Sequence, residues 1–258
     1  MSNLLKYDFY KLIRSKSFYI CTILSLFISV LTVYLSGYFY NGTGYNLFKP
    51  YDSLMGISDG LVSSVLLIII AIVIFIPSDF SFGTIKNMIS SGASRVNIYL
   101  SKLIVSCAMV FSYLLVNMIF CGIAGAIMGE VGEYTRDTYL TLLKTFGYTF
   151  LVVMALVSIC VMISFLIKKK SIVITVAILV NTVAVSFIAP LIDFCVKLIP
   201  SVEEFSSMKY FPGSYLGVGM SIDSMPQKDL ITSLIVCGVY IVACTVVGIL
   251  VFRKVDIE

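Results

Sequence analysis

Few residues in this chain could do chemistry, and those that could are clustered. Asp79, Lys86, Arg95 and Lys102 share one polar stretch from Pro77 to Lys102, PSDFSFGTIKNMISSGASRVNIYLSK. The chain has no histidine, which removes the usual imidazole base and metal ligand. Its cysteines, Cys21, Cys107, Cys121, Cys160, Cys195, Cys237 and Cys244, all lie in apolar runs and none is paired as C-x-x-C. That pattern reads as small buried hydrophobes rather than a disulfide framework or a metal site. Glu130, Glu133 and Asp137 crowd one short loop, but without the ordered Asn and carbonyl ligands of a calcium loop they read as solvated charges. No G-x-x-x-x-G-K-[ST] phosphate loop occurs, so this chain does not cradle ATP by that route. What remains is docking chemistry: a basic, partly apolar stretch built to touch something. Within it Ile85, Met88 and Ile89 fall on one face at helical spacing, and Gly83, Thr84 and Gly92 punctuate it.

The elements that hold this stretch are too apolar for a soluble core. Upstream, Leu61 to Ile76 reads LVSSVLLIIIAIVIFI, and downstream Leu103 to Met128 carries no charge. Across its 258 residues the chain is 59% hydrophobic and 12% charged, with a net charge of +4, and its mean hydropathy is +1.04. The long continuous apolar runs suit membrane helices rather than the short alternating strands of a barrel. The spacing predicts an all-α membrane protein with six spans, about 17–40, 57–76, 103–128, 141–167, 171–196 and 230–252. All of 1–258 then forms one transmembrane domain. Residues 77–102 form a loop between spans two and three, and 197–229 form an outer loop. Residues 2–16 form an amphipathic interfacial helix with Leu5, Phe9, Leu12 and Ile13 on one face. Its apolar continuation is too long for a signal h-region and no cleavage site follows, so it reads as an uncleaved first span.

Charge orients the chain. Lys6, Lys11, Arg14, Lys16, Lys86, Arg95, Lys102, Lys168, Lys169, Lys170, Arg253 and Lys254 fall on one side. The other side has Lys49, Arg136, Lys144, Lys197, Lys209 and Lys228. The positive-inside rule then places both termini and the 77–102 loop in the cytoplasm of a multi-pass protein of the cell membrane. The basic excess is a topology signal that also attracts anionic membrane lipid; it forms no soluble basic face for nucleic acid. Asn117 and Asn181, near mid-span, are costly against lipid and face a neighbour or a pathway, together with Ser186. Asp193 and Lys197, four apart at the outer end of span five, are placed to pair.

The ordered set Asp79, Gly83-Thr84, Ile85 to Ile89, Gly92, Ser94-Arg95 and Lys102 resembles the first intracellular loop of ABC type-2 exporter permeases. Those membrane subunits dock a separate ATPase. Their loop more often has Glu where this chain has Asp79. The resemblance implies that Asp79, Gly83, Thr84, Ile85, Lys86, Met88, Ile89, Arg95 and Lys102 couple the chain to an ABC ATPase. Lys86 and Arg95 would be the polar contacts, Ile85, Met88 and Ile89 the docking ridge, and Thr84 the cap of a coupling helix. The blander reading is a surface helix that anchors the spans. The resemblance also implies a second permease subunit, as homodimer or heterodimer, and short re-entrant helices between spans five and six. ATP and Mg²⁺ would sit in the partner ATPase, with no cofactor or metal in this chain. Ser90-Ser91-Gly92-Ala93-Ser94-Arg95 is similar to loops of Gram-positive peptide-export and bacteriocin-immunity permeases, which implies a hydrophobic or amphipathic cargo such as an antimicrobial peptide.

Two other classes compete. Glu203-Glu204-Phe-Ser-Ser-Met-Lys209 is similar to the Glu-Glu-x-x-x-Arg motif of CAAX-type membrane proteases, but those need histidines, and the chain has none, so it is not expected to be an enzyme. A stand-alone ion-coupled transporter, or an immunity protein without an ATPase, would carry acids deep within its spans; Asn117 and Asn181 do not titrate.

Overall fold

A computed structural model describes residues 1–42, 50–128, 136–167, 169–197, 206–216 and 225–254. Helix α1 is Ser2–Arg14, α2 Lys16–Gly42, α3 Pro50–Ser81, α4 Thr84–Ser90, α5 Arg95–Met128 and α6 Arg136–Ile167. Then come α7, Lys170–Val183, a π-helical turn, Ala184–Ile188, and α8, Ala189–Lys197; a 3-10 turn, Ser207–Tyr210, precedes α9, Gln227–Lys254. No strand occurs among the described residues. Lys16–Leu35, Arg95–Ala124, Tyr139–Ile167 and Gln227–Lys254 are each long and apolar enough to cross a bilayer, and two bent helix pairs raise the number to as many as six. The chain is an all-α, multi-pass membrane protein.

Helices overrun the expected spans at both ends because polar residues tolerated at a membrane interface continue the backbone ladder. Helix α3 starts before residue 57 and continues through Pro77 to Ser81; α5 begins at Arg95, well before residue 103. The expected 77–102 loop is therefore short in space: one turn, the seven-residue α4, and a second turn. Gly83 (φ 68°) and Gly92 (φ 88°) make those turns in the left-handed region that glycine adopts without a Cβ penalty. The N-cap of α4 is Gly83 itself, so Thr84 opens the helix rather than capping it. Helix α4 lies at 60° to the end of α3. Where the fifth span was expected, α7 and α8 meet at 42° across the π turn.

The core is built around α3. Val65, Ile68, Ile69, Ile72, Val73 and Ile76 are buried, and α2, α5, α6 and α7 all pack on this helix. At one end an aromatic cluster ties four helices. The ring of Phe165 in α6 lies 5.5 Å from Phe80 of α3, 4.8 Å from Tyr99 of α5 and 4.7 Å from Phe252 of α9. Tyr99 donates to the Cys244 carbonyl at 3.3 Å and lies so close to Gly248 that a Cβ there would collide with its ring.

The outer segment is tied to α8. Asp193 accepts from the Ser207 N–H at 2.5 Å, and Ser207 Oγ donates to the Ala189 carbonyl at 2.7 Å. Asp193 thus pins the 3-10 turn to α8; the Lys197 side chain lies outside the described residues. A second 3-10 stretch runs over 212–216; of the segment where the resemblance implies short re-entrant helices, residues 198–205 and 217–224 lie outside the described residues. The acidic loop with Glu130 and Glu133, the Asp137 side chain, and Glu203-Glu204 also lie outside the described residues.

Candidate functional site

The polar stretch does not present all its charges outward. Asp79 and Lys102 are almost fully buried, at 1% and 0% exposure, and so is Asp8 of α1 at 1%. Lys102 Nζ bridges Asp8 Oδ1 and Asp79 Oδ2, both at 2.5 Å. Lys11 Nζ lies 2.6 Å from Asp79 Oδ1, 2.7 Å from Ser78 Oγ and 3.2 Å from the Phe75 carbonyl. Ser101 Oγ donates to Asp8 Oδ2 at 2.7 Å. Two lysines face two aspartates, so the cluster is formally neutral, and each carboxylate oxygen has a partner. The Phe75 ring lies 4.5 Å from Lys11 Nζ and 5.5 Å from Lys102 Nζ, adding a π face to both cations. Burial lowers the Lys11 pKa from its ordinary 10.5, with Asp79 pulling in the opposite direction.

This anchor fastens α1 to α3 and α5. The inward stripe of α1 is Leu4, Leu5, Asp8, Lys11 and Leu12, whereas Phe9 and Ile13 are exposed, at 37% and 65%. The apolar face expected to carry Leu5, Phe9, Leu12 and Ile13 is thus split: Leu5 and Leu12 pack on the bundle beside Asp8, which has two buried partners, and Phe9 and Ile13 do not. Phe9 and Ile13, one turn apart, point away from the bundle.

The expected docking ridge also turns inward. Ile85 is 1% exposed and Met88 9%, while Ile89 is half-buried against the core. An amphipathic helix seven residues long has one apolar face, and here the bundle takes it. Arg95 is likewise not a free contact: its Nη1 donates to the Phe252 and Arg253 carbonyls at 3.0 Å each. A cation at the last carbonyls of α9 satisfies orphan acceptors and the helix dipole together. So Asp79, Lys102, Ile85, Met88 and Arg95 hold the loop in place, and Gly83, Thr84 and Gly92 shape it.

What faces outward is Lys86, Asn87, Ser90, Ser91 and Ser94, with Phe82 80% exposed beside them. Between α4 and α1 runs a groove of about 660 Å³. Leu4, Tyr7, Asn87, Met88, Ser91 and Asn97 are among its lining residues, none with a charged side chain, and the Met1 N-terminus also borders it. Sequence reasoning missed Asp8, Lys11, Tyr7 and Asn87. Asp8 left one signal: it is the only acid before Asp52 in a strongly basic segment.

The mid-span polar residues separate. Asn117 is fully buried between α2 and α5; Ser29 Oγ lies 2.8 Å from its Oδ1, and its Nδ2 donates to the Tyr113 carbonyl at 2.9 Å and Ser25 Oγ at 3.4 Å. It is helix-to-helix glue here. Asn181 Nδ2 donates to the Ala177 carbonyl at 2.8 Å, beside Cys160 Sγ at 3.3 Å. Ser186 is exposed on the π turn. The three do not meet in one site.

The comparisons agree with this architecture. No curated protein matches the chain. A family described as ABC-2 family transporter protein matches residues 4–189, from α1 to the start of α8. That match takes in the anchor, the α4 loop, four of the expected spans and most of the fifth, well over half of the chain. The protein belongs to the ABC-2 transporter family of membrane proteins.

Proposed function

We propose that this chain is the permease half of an ATP-driven exporter of the cell membrane, and that a separate ABC ATPase docks on the outer surface of α4 and α1. Permeases of this family work with ABC ATPases in general. The observation that carries the reading is the α4–α1 groove, lined by uncharged side chains and flanked by exposed Phe82 and Lys86, on a short loop between α3 and α5, which are themselves bonded to α1 and α9. A partner that shifts α4 pulls on the ends of α3 and α5 that it joins, and these pass the shift to α1 through the Asp8–Lys102–Asp79 anchor and to α9 through Arg95. That is a rigid-body switch of the kind that opens a path between packed units. ATP and Mg²⁺ belong to the partner, and a second permease subunit completes the pathway.

The docking test leaves the anchor untouched. Asn87→Trp and Ser91→Trp fill the groove from exposed positions, and Phe82→Ala with Lys86→Glu alters its flank. The expected result is loss of ATPase co-purification by about tenfold or more, with membrane insertion unchanged. Unaltered co-purification places the docking surface elsewhere, and cargo movement by the purified chain alone returns the stand-alone transporter. For cargo, we infer an amphipathic cationic peptide, supported by acids such as Glu130, Glu133 and Asp229 in the outer segments. Cells expressing the chain with its ATPase are expected to tolerate such peptides better; unchanged tolerance across a panel counts against that cargo.

A further inference from the structure

A cavity of about 220 Å³ lies between α6, α7 and α9, away from the docking loop. Leu156, Ile159, Met162 and Val180 give it aliphatic walls, and Asn181 brings a polar group to it. The orientation of that amide is fixed by chemistry. The Ala177 carbonyl, 2.8 Å away, can only accept, so it must face the Asn181 NH₂ group. Asn181 Oδ1 is then the free end, buried and without a hydrogen-bond partner. A buried acceptor in that state is destabilising and calls for a donor. A single water serves poorly, because buried waters need two to four polar partners and besides Asn181 the lining, closed by Phe211 and Pro212, brings only the Tyr240 hydroxyl and the Cys244 thiol as polar side-chain groups. Size points the same way: a dry cavity of about 150 Å³ takes benzene, so this one takes a ring with a short alkyl chain, or a medium-length aliphatic chain. The π turn at Ala184–Ile188 follows within one helical turn, a distortion common at functional sites.

We propose that the cavity beside Asn181 binds a membrane-dissolved lipophile the size of an alkylphenol or a medium-chain alcohol, whose hydroxyl donates to Asn181 Oδ1. The binding uses neither the docking loop nor an ATPase, so it is measured on the full chain alone, in lipid nanodiscs. A diazirine-bearing octanol is photolysed in place and the modified peptides are mapped by mass spectrometry. Competition compares 4-propylphenol with 4-propylanisole, its methyl ether, which keeps the shape and lacks the donor. Labelling is expected at Met162 and Tyr240, with the phenol about tenfold the better competitor, and Asn181→Leu is expected to abolish that preference. Ile159→Phe keeps the amide but narrows the cavity, and is expected to cut labelling about fivefold with an unchanged size-exclusion profile. Equal potency of phenol and ether on the native chain, as an acyl-chain slot would give, overturns the proposal. So does a preference that survives Asn181→Leu, or labelling that ignores Ile159→Phe.

Discussion

Lys102 has no exposure and two carboxylates at 2.5 Å, and its value to the fold lies in what its loss would strand. Lys102→Met leaves Asp8 and Asp79 facing each other with only Lys11 near. Breaking a buried ion pair from one side costs about 3–5 kcal/mol. A lower thermal midpoint in detergent is expected, and adding Asp8→Asn to the same chain recovers part of it. Absence of any shift would mean that the cluster is solvated. Lys11 titrates with a definite sign. Its folded pKa lies below 10.5 because burial outweighs Asp79. Between those two values the unfolded chain binds more protons than the folded one, so this residue makes stability rise with pH. Lys11→Met is expected to lose that rise, measured as thermal midpoints from pH 8 to 10.5 against the unsubstituted chain.

At the scale of the element, the loop depends on two backbone bends and a wedge. A Cβ at Gly83 or Gly92 would touch nothing, so Gly83→Ala and Gly92→Ala probe conformation alone, at about 1–2 kcal/mol each. Gly248 is the opposite case: its φ is ordinary, but the Tyr99 ring fills its Cβ position. Gly248→Leu must expel Tyr99 from the α5–α9 seam, and a loss of at least about 2 kcal/mol is expected in denaturant unfolding. These cases show how far the sequence could be read. The helix between the two glycines was legible, because turn residues and helical spacing are local. That Ile85 and Met88 face the bundle was not: periodicity names an apolar face without saying what covers it. The partners of Lys102 were hidden for the same reason. Asp8 is 94 residues away in sequence and Asp79 is 23, so charges that look like topology signals become a buried bridge only after the spans have packed. Asn181 was flagged by its cost in lipid alone, and its carbonyl partner was one turn back in its own helix.

At the scale of the whole molecule, the anchor, the Arg95 cap and the aromatic cluster all gather at one end. That end joins α1 to the ends of α3, α5, α6 and α9. Nine of the twelve basic residues of the richer side lie on α1, the start of α2, α4, the start of α5 and the end of α9; Lys169 and Lys170 are exposed at the start of α7, and Lys168 lies outside the described residues. Such a concentration is what the positive-inside rule retains in the cytoplasm, and an ATPase made in the cytosol can reach only that face. The proposed docking requires the same orientation that the charge distribution favours. Single cysteines placed at exposed Ser91, Arg253 and Lys228, in a chain whose native cysteines are replaced by alanine or serine, test it directly. A membrane-impermeant maleimide added to intact cells is expected to label the cysteine at 228 and to reach 91 and 253 only after lysis. The reverse pattern would put the α4 groove outside the cell, beyond the reach of any ATP-burning partner, and the export mechanism would fall with it.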